Sequence, residues 1–168
     1  VGESFIPKIV KDRNKAKKLK FPIIASGKGG SNTYNTSYMF NKSENDYTSY
    51  QEKVIPKTKY DILMFRDKPI CAYENVNGKY NDKGLNSQVA KASVKIAKKI
   101  LESHGMDAYR LKIYESNKGN YYLGGIHKCN DLNEKQSNLL YIALYEDHYG
   151  YNIPTWFKNK VNDIDVNN

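Results

Sequence analysis

Cysteine is scarce: Cys71 and Cys129 are the only two in 168 residues, far apart, with no Cys-x-x-Cys or Cys/His spacing around them. That excludes a zinc finger and a disulfide framework, and it points to a reducing compartment. No apolar run approaches the roughly 20 residues that cross a bilayer, and no signal-peptide pattern opens the chain. A soluble protein without membrane partners is expected. The chain starts at Val1 rather than Met, which points to processing or to a start that lies elsewhere. Arginine is nearly missing, with only Arg13, Arg66 and Arg110 among 27 basic residues. Base readout and bidentate phosphate clamps use the planar guanidinium fork, which lysine cannot reproduce. A lysine-dominated excess therefore predicts weak, non-specific attraction to polyanions.

What is present is charge and tyrosine. The formal net charge is +9, which favours nucleic acid, acidic proteins or phosphate-bearing ligands as partners. Tyr occurs 15 times against five Phe and one Trp. Such rings offer a large contact area with a polar tip, suited to packing against other surfaces. Abundant Asn, Lys, Tyr and Ile also follow from AT-rich codons. At 39% apolar residues the chain is long enough to bury a core, and no linker or repeat divides it.

Residues 8–20 carry seven basic side chains against one acid and read as a short basic helix. An apolar run at 21–25 predicts a strand, the Gly-rich 26–32 a flexible tip, and 36–41 a returning strand. Further strands are expected at 50–55, 59–66 and 69–74, then a Gly/Asn/Asp/Lys loop over 77–85. Asn86 or Ser87 caps a long helix ending before Gly105, with Val89, Ala92, Ile96 and Ile100 on its core side and lysines outside. Strands at 109–114 and 120–126 form a hairpin around 117–119. Asn133 and Gln136 stand at capping-box spacing for a last helix ending near Gly150, with Leu140, Ala143 and Leu144 inward. Trp156 is expected to dock the tail.

Three segments together resemble the ATP-grasp ligases. Residues 21–40, FPIIASGKGGSNTYNTSYMF, look like the lid hairpin whose glycine tip closes over phosphates. Residues 59–70, KYDILMFRDKPI, look like the strand pair entering the large subdomain. Residues 105–133, GMDAYRLKIYESNKGNYYLGGIHKCNDLN, look like the metal-binding hairpin and the loop after it. The likeness spans about residues 20–150, with a flavour of the compact ATP-grasp proteins of bacteriophages. It implies an α+β fold of one domain over residues 1–168: a lid-like part at 20–57, a larger antiparallel sheet-and-helix part at 58–150, and a tail at 151–168. It further implies that the family's usual N-terminal portion is lost.

Members of that family activate a carboxylate as an acyl phosphate, using magnesium held by carboxylate oxygens. The resemblance places Lys112 at the family's Asp, Gly125 at its Glu and His127 at its Asn. An ammonium, a hydrogen and an imidazole thus replace three hard oxygen ligands, and imidazole prefers softer ions. Asp61 stands where an Arg usually holds phosphate, and Ser26 where a lid Lys or Arg lies, with Lys28, Gly29 and Gly30 beside it. Lys112 either substitutes for the ion's charge, pairing with Asp61 or Asp107, or extends to solvent.

The resulting expectation is no catalytic residue, no bound metal and no cofactor. The chain is read as a degenerate, non-catalytic ATP-grasp protein serving as a structural or interaction component, in a phage or other virus particle, among protein partners. One alternative is an ATP-dependent carboxylate–amine ligase or nucleotide-binding protein with a displaced site, where Lys28, Glu115 or Asp131 steps in and ATP and magnesium are cofactors. Another is a basic protein with non-specific nucleic acid contacts through residues 8–20. Gly27-Lys-Gly-Gly30 lacks the wider spacing of a Walker loop. His104, His127 and His148 are scattered, with His104 and His148 at helix ends.

Overall fold

A computed structural model describes residues 5–38 and 47–167, the side chains of Ser103 and His104 excepted. It divides into two compact units, Val1–Ile55 and Pro56–Asn168, each with its own sheet.

In the first unit a four-stranded antiparallel sheet runs in the order β1 (Ile9–Val10), β4 (Ser49–Glu52), β2 (Ile23–Gly27), β3 (Gly30–Tyr34). The basic lead-in divides differently from the single helix expected. It forms β1 and then one turn, α1 (Arg13–Ala16), started by the Asp12 carboxylate accepting from Lys15 N at 2.8 Å. Ala16 and Leu19 join Ile23, Ala25, Tyr34 and Tyr50 in a small core, while Ile9 faces out. The glycine segment is not a long flexible tip. Ser26 pairs with Ser31 and Gly27 with Gly30, so only Lys28 and Gly29 turn the chain. Gly30 takes φ 110°, a conformation that a side chain disfavours. The returning strand lies at 30–34, earlier than expected, because the glycines continue the ladder. Residues 36–38 are not strand, and 39–41 fall outside the described residues.

The second unit holds a five-stranded antiparallel sheet ordered β7 (Lys79–Asp82), β6 (Lys68–Val76), β5 (Thr58–Phe65), β8 (Ala108–Glu115), β9 (Tyr121–His127). Strand β7 lies within the stretch 77–85 that the sequence presents as a loop. Its polar sequence hides a hairpin turned at Asn77 (φ 51°) and Gly78 (φ 86°). Helix α2 (Gln88–His104) is capped by Ser87, whose hydroxyl accepts from Ala90 N, and ends on left-handed Gly105. Its inward residues, including Val89, Ala92, Ile96 and Ile100, are buried. The buried, alternate positions Ile62, Met64, Leu111 and Ile113 share one sheet face.

The opposite face carries Leu63, Cys71 and Tyr73, packed by Leu139 and Leu140 of α3 (Glu134–Tyr149). Asn133 and Gln136 form the full capping box at its start. Leu144 is exposed, not inward, because α3 turns Ile142 rather than Leu144 toward the core. The tail is folded as well: α4 (Thr155–Asn162) is anchored by buried Val161 and by Lys135 Nζ donating to Asn162 O at 2.6 Å. Trp156 does not dock it. The residue is 61% exposed, with Lys160 Nζ 5.3 Å from its ring centroid. Among the described residues no helix is long and apolar enough to cross a membrane.

Candidate functional site

Strand alternation decides which side chains can meet. On β8, Arg110, Lys112 and Tyr114 share the face that α3 covers only in part; on β5 so do Lys59, Asp61 and Leu63. Where α3 stops covering that face, a cavity of about 590 Å³ opens, lined by Lys57, Lys59, Asp61, Arg110, Lys112 and Tyr114 among others. That volume suits a small ligand. Four cations thus line it, against Asp61 and Glu74, and Glu74 is already paired with Lys83 at 3.3 Å.

Asp61 is 4% exposed and stands directly across the ladder from Lys112. Its nearest cation is Arg110, with Nη1 3.8 Å from Oδ2; Asp107 instead pairs with Arg66 at 3.1 Å and plays no part here. Oδ1 of Asp61 and Nε of Arg110 are buried with no hydrogen-bond partner among the described residues. Burial raises the Asp61 pKa above the usual carboxylate range, more than Arg110, Lys112 and His127 lower it.

Lys112 pairs in register with Gly125 of β9, and Arg110 with His127. The three positions singled out from sequence, Lys112, Gly125 and His127, therefore stand together at one end of the sheet. A Cβ on Gly125 would lie 2.9 Å from His127 Nε2, so the imidazole occupies the space a longer residue 125 would need. Gly124 forms the irregularity between Lys112 and Ile113, and a Cβ there would lie 2.7 Å from the Tyr114 ring. Lys112 itself is exposed.

Magnesium asks for oxygen ligands in near-octahedral array, and the residues present do not fit it. Glu115 alternates to the other face, where it accepts from Tyr60 OH at 2.6 Å, and Asp131 is exposed. Among the described residues no three His, Cys, Asp or Glu side chains converge as a metal site. Ser26 of the first unit bonds Ser31 Oγ at 2.9 Å, with Lys28, Gly29 and Gly30 exposed at the hairpin end. Burial pushes the Cys71 thiol up to about 11 and raises Cys129 too, so neither thiol is activated as a nucleophile.

The residues sequence reasoning passed over are Arg110, Lys57, Lys59 and Tyr114. Their signal was the two-residue period on β5 and β8, which puts Lys59 beside Asp61 and Arg110 beside Lys112.

No protein-family model and no curated protein sequence matches the chain. Solved structures do. N5-carboxyaminoimidazole ribonucleotide synthetase from Thermotoga maritima superposes with TM-score 0.55 at 13% identity, over 73% of this chain and 36% of that one. The N5-carboxyaminoimidazole synthetase from Staphylococcus aureus complexed with ADP gives 0.57 at 13%, over 77% and 41%. The ATP-grasp ligase PsnB, complexed with precursor peptide PsnA2 and AMPPNP, gives 0.53 at 11%, over 93% and 52%. The chain thus spans about a third to a half of the length of the structures it matches. Likeness at this level of identity speaks for the fold alone, and that fold is α+β and ATP-grasp-like.

Proposed function

We propose that the chain is a non-catalytic ATP-grasp-like module, a structural or interaction protein whose cavity receives an anionic group without a metal. The single observation behind this is the register of β8 and β9. It sets an ammonium opposite a glycine, with the His127 imidazole over that glycine, on the face where the resemblance calls for three oxygen donors. A divalent ion beside Lys112 and Arg110 would meet repulsion, with too few oxygen ligands among the described residues to offset it. An anion would meet Lys57, Lys59, Arg110 and Lys112.

A second reading has one observation in its favour. The similar structures are named as synthetases and an ATP-grasp ligase, and two of those cited hold ADP or AMPPNP. It makes this chain an ATP-dependent ligase with a rearranged site.

Thermal unfolding with ATP, with and without magnesium, separates the two. A ligand at about a hundred times its Kd adds about 2.7 kcal/mol, several degrees in a domain of this size. The proposal expects any shift with ATP to be independent of magnesium. A rise of about 5 °C that requires magnesium sinks it. Combining Lys112→Asp, Gly125→Glu and His127→Asn in one chain should create a magnesium-dependent shift where the parent has none.

A further inference from the structure

Helix α3 is apolar on both sides. One side packs on the sheet through Leu139 and Leu140. The other presents Tyr141, Leu144 and Tyr149, 54%, 44% and 55% exposed. Tyr145 ties these rings into a ladder, 5.9 Å from Tyr141 and 4.6 Å from Tyr149 between centroids. Rings that already touch one another at a tilt along the helix lose less side-chain freedom on docking than isolated ones would.

The ridge is also free of lysine on a chain of net charge +9. The one lysine of α3, Lys135, is buried and bonded to Asn162 O. Two copies repel through most of their surfaces, and this face is one that does not add to the repulsion. The charged or ionisable groups along it are Glu134 at the first turn and His148 at the last, and among the described residues neither makes an ion pair.

Their spacing is self-complementary. Glu134 and His148 each lie seven residues from Tyr141, on either side. An antiparallel two-fold axis through Tyr141 therefore sets His148 of each copy against Glu134 of the other. It also sets Tyr145 against Ser137 and Leu144 against Asn138, large against small in both cases. The same operation aligns the dipoles of the two helices favourably. A two-fold contact must be self-matching in this way, residue i meeting j and j meeting i.

We propose that the α3 ridge is a homodimer surface, with a second copy of this chain as its occupant, packed antiparallel about Tyr141. The inference is independent of whether the cavity holds a metal. Three tyrosines and a leucine offer on the order of a few hundred Å² per copy, below the roughly 800 Å² of a stable interface. The dimer is accordingly weak and populated at roughly 0.1–1 mM.

Sedimentation equilibrium from about 20 µM to about 1 mM tests it. The average mass should climb from the 19.3 kDa monomer toward twice that value. Tyr141→Lys, which sets two ammonium groups against each other across the axis, should weaken association at least about tenfold while leaving the melting curve unchanged. Glu134→Lys and His148→Glu should each weaken it, and the two combined in one chain should restore it. The combined variant keeps the helix-end penalties of both single changes, so restoration can come only from the contact across the axis. A monomer at every concentration overturns the proposal, as does a dimer indifferent to Tyr141→Lys or a combined variant no better than the single ones.

Discussion

At the scale of the residue, burial and charge pull Asp61 in opposite directions, and burial wins: its pKa is raised despite three nearby cationic or ionisable groups. The folded form then binds its proton more tightly than the unfolded chain does. Stability from this group is fully present below the unfolded pKa, near 4, and is lost as pH rises through the folded value. Asp61→Asn should therefore raise the melting temperature at pH 7, with the gain shrinking toward pH 4. Denaturation of both proteins across that range checks the sign. A variant less stable at pH 7 than the parent would mean that the Arg110 contact outweighs desolvation. The family resemblance marks position 61 as a lost phosphate ligand. Its burial could not be read there, because a strand's alternation says which face a residue takes but not how much of that face is covered.

At the scale of the element, the capping box of α3 joins two parts of the second unit. Asn133 Oδ1 accepts from Gln136 N at 2.8 Å while its Nδ2 donates to Val166 O at 2.7 Å. Asn133→Ala should cost about 1–2 kcal/mol, the upper range for a cap, since the bond to the tail goes with it. Urea unfolding gives the figure, and a loss under about 0.5 kcal/mol would mean that neither bond matters. Lys135→Met leaves the cap alone and removes the donor to Asn162 O. It should speed hydrogen exchange in α4 more than in β5, because α4 rests on few other contacts. The cap was legible in the sequence as Asn133 and Gln136 at the right spacing. The tail's docking was not: Trp156, the conspicuous residue, stays outside, and Val161 does the packing.

At the scale of the whole molecule, the chain folds as two units with separate sheets and cores, divided between Ile55 and Pro56. Among the described residues no strand of one sheet pairs with the other, so the second should not need the first to form. Residues 56–168 expressed alone should show a cooperative thermal transition with the circular dichroism of a mixed sheet-and-helix fold. A broad, non-cooperative melt would count against that independence.

The likeness of three segments to the ATP-grasp family implied the class of fold and the company of Lys112, Gly125 and His127, while local pattern by itself determined the capped helices and the hairpin at β8–β9. These depend on neighbours a few residues apart or on a two-residue period, which the chain carries openly. Tertiary structure alone decided that the glycines at 27–30 continue a ladder, that β7 is a strand, that Asp61 is desolvated beside Arg110, and that α3 keeps an aromatic ridge outside. Each of those depends on what covers a surface, and covering is a property of distant segments brought together.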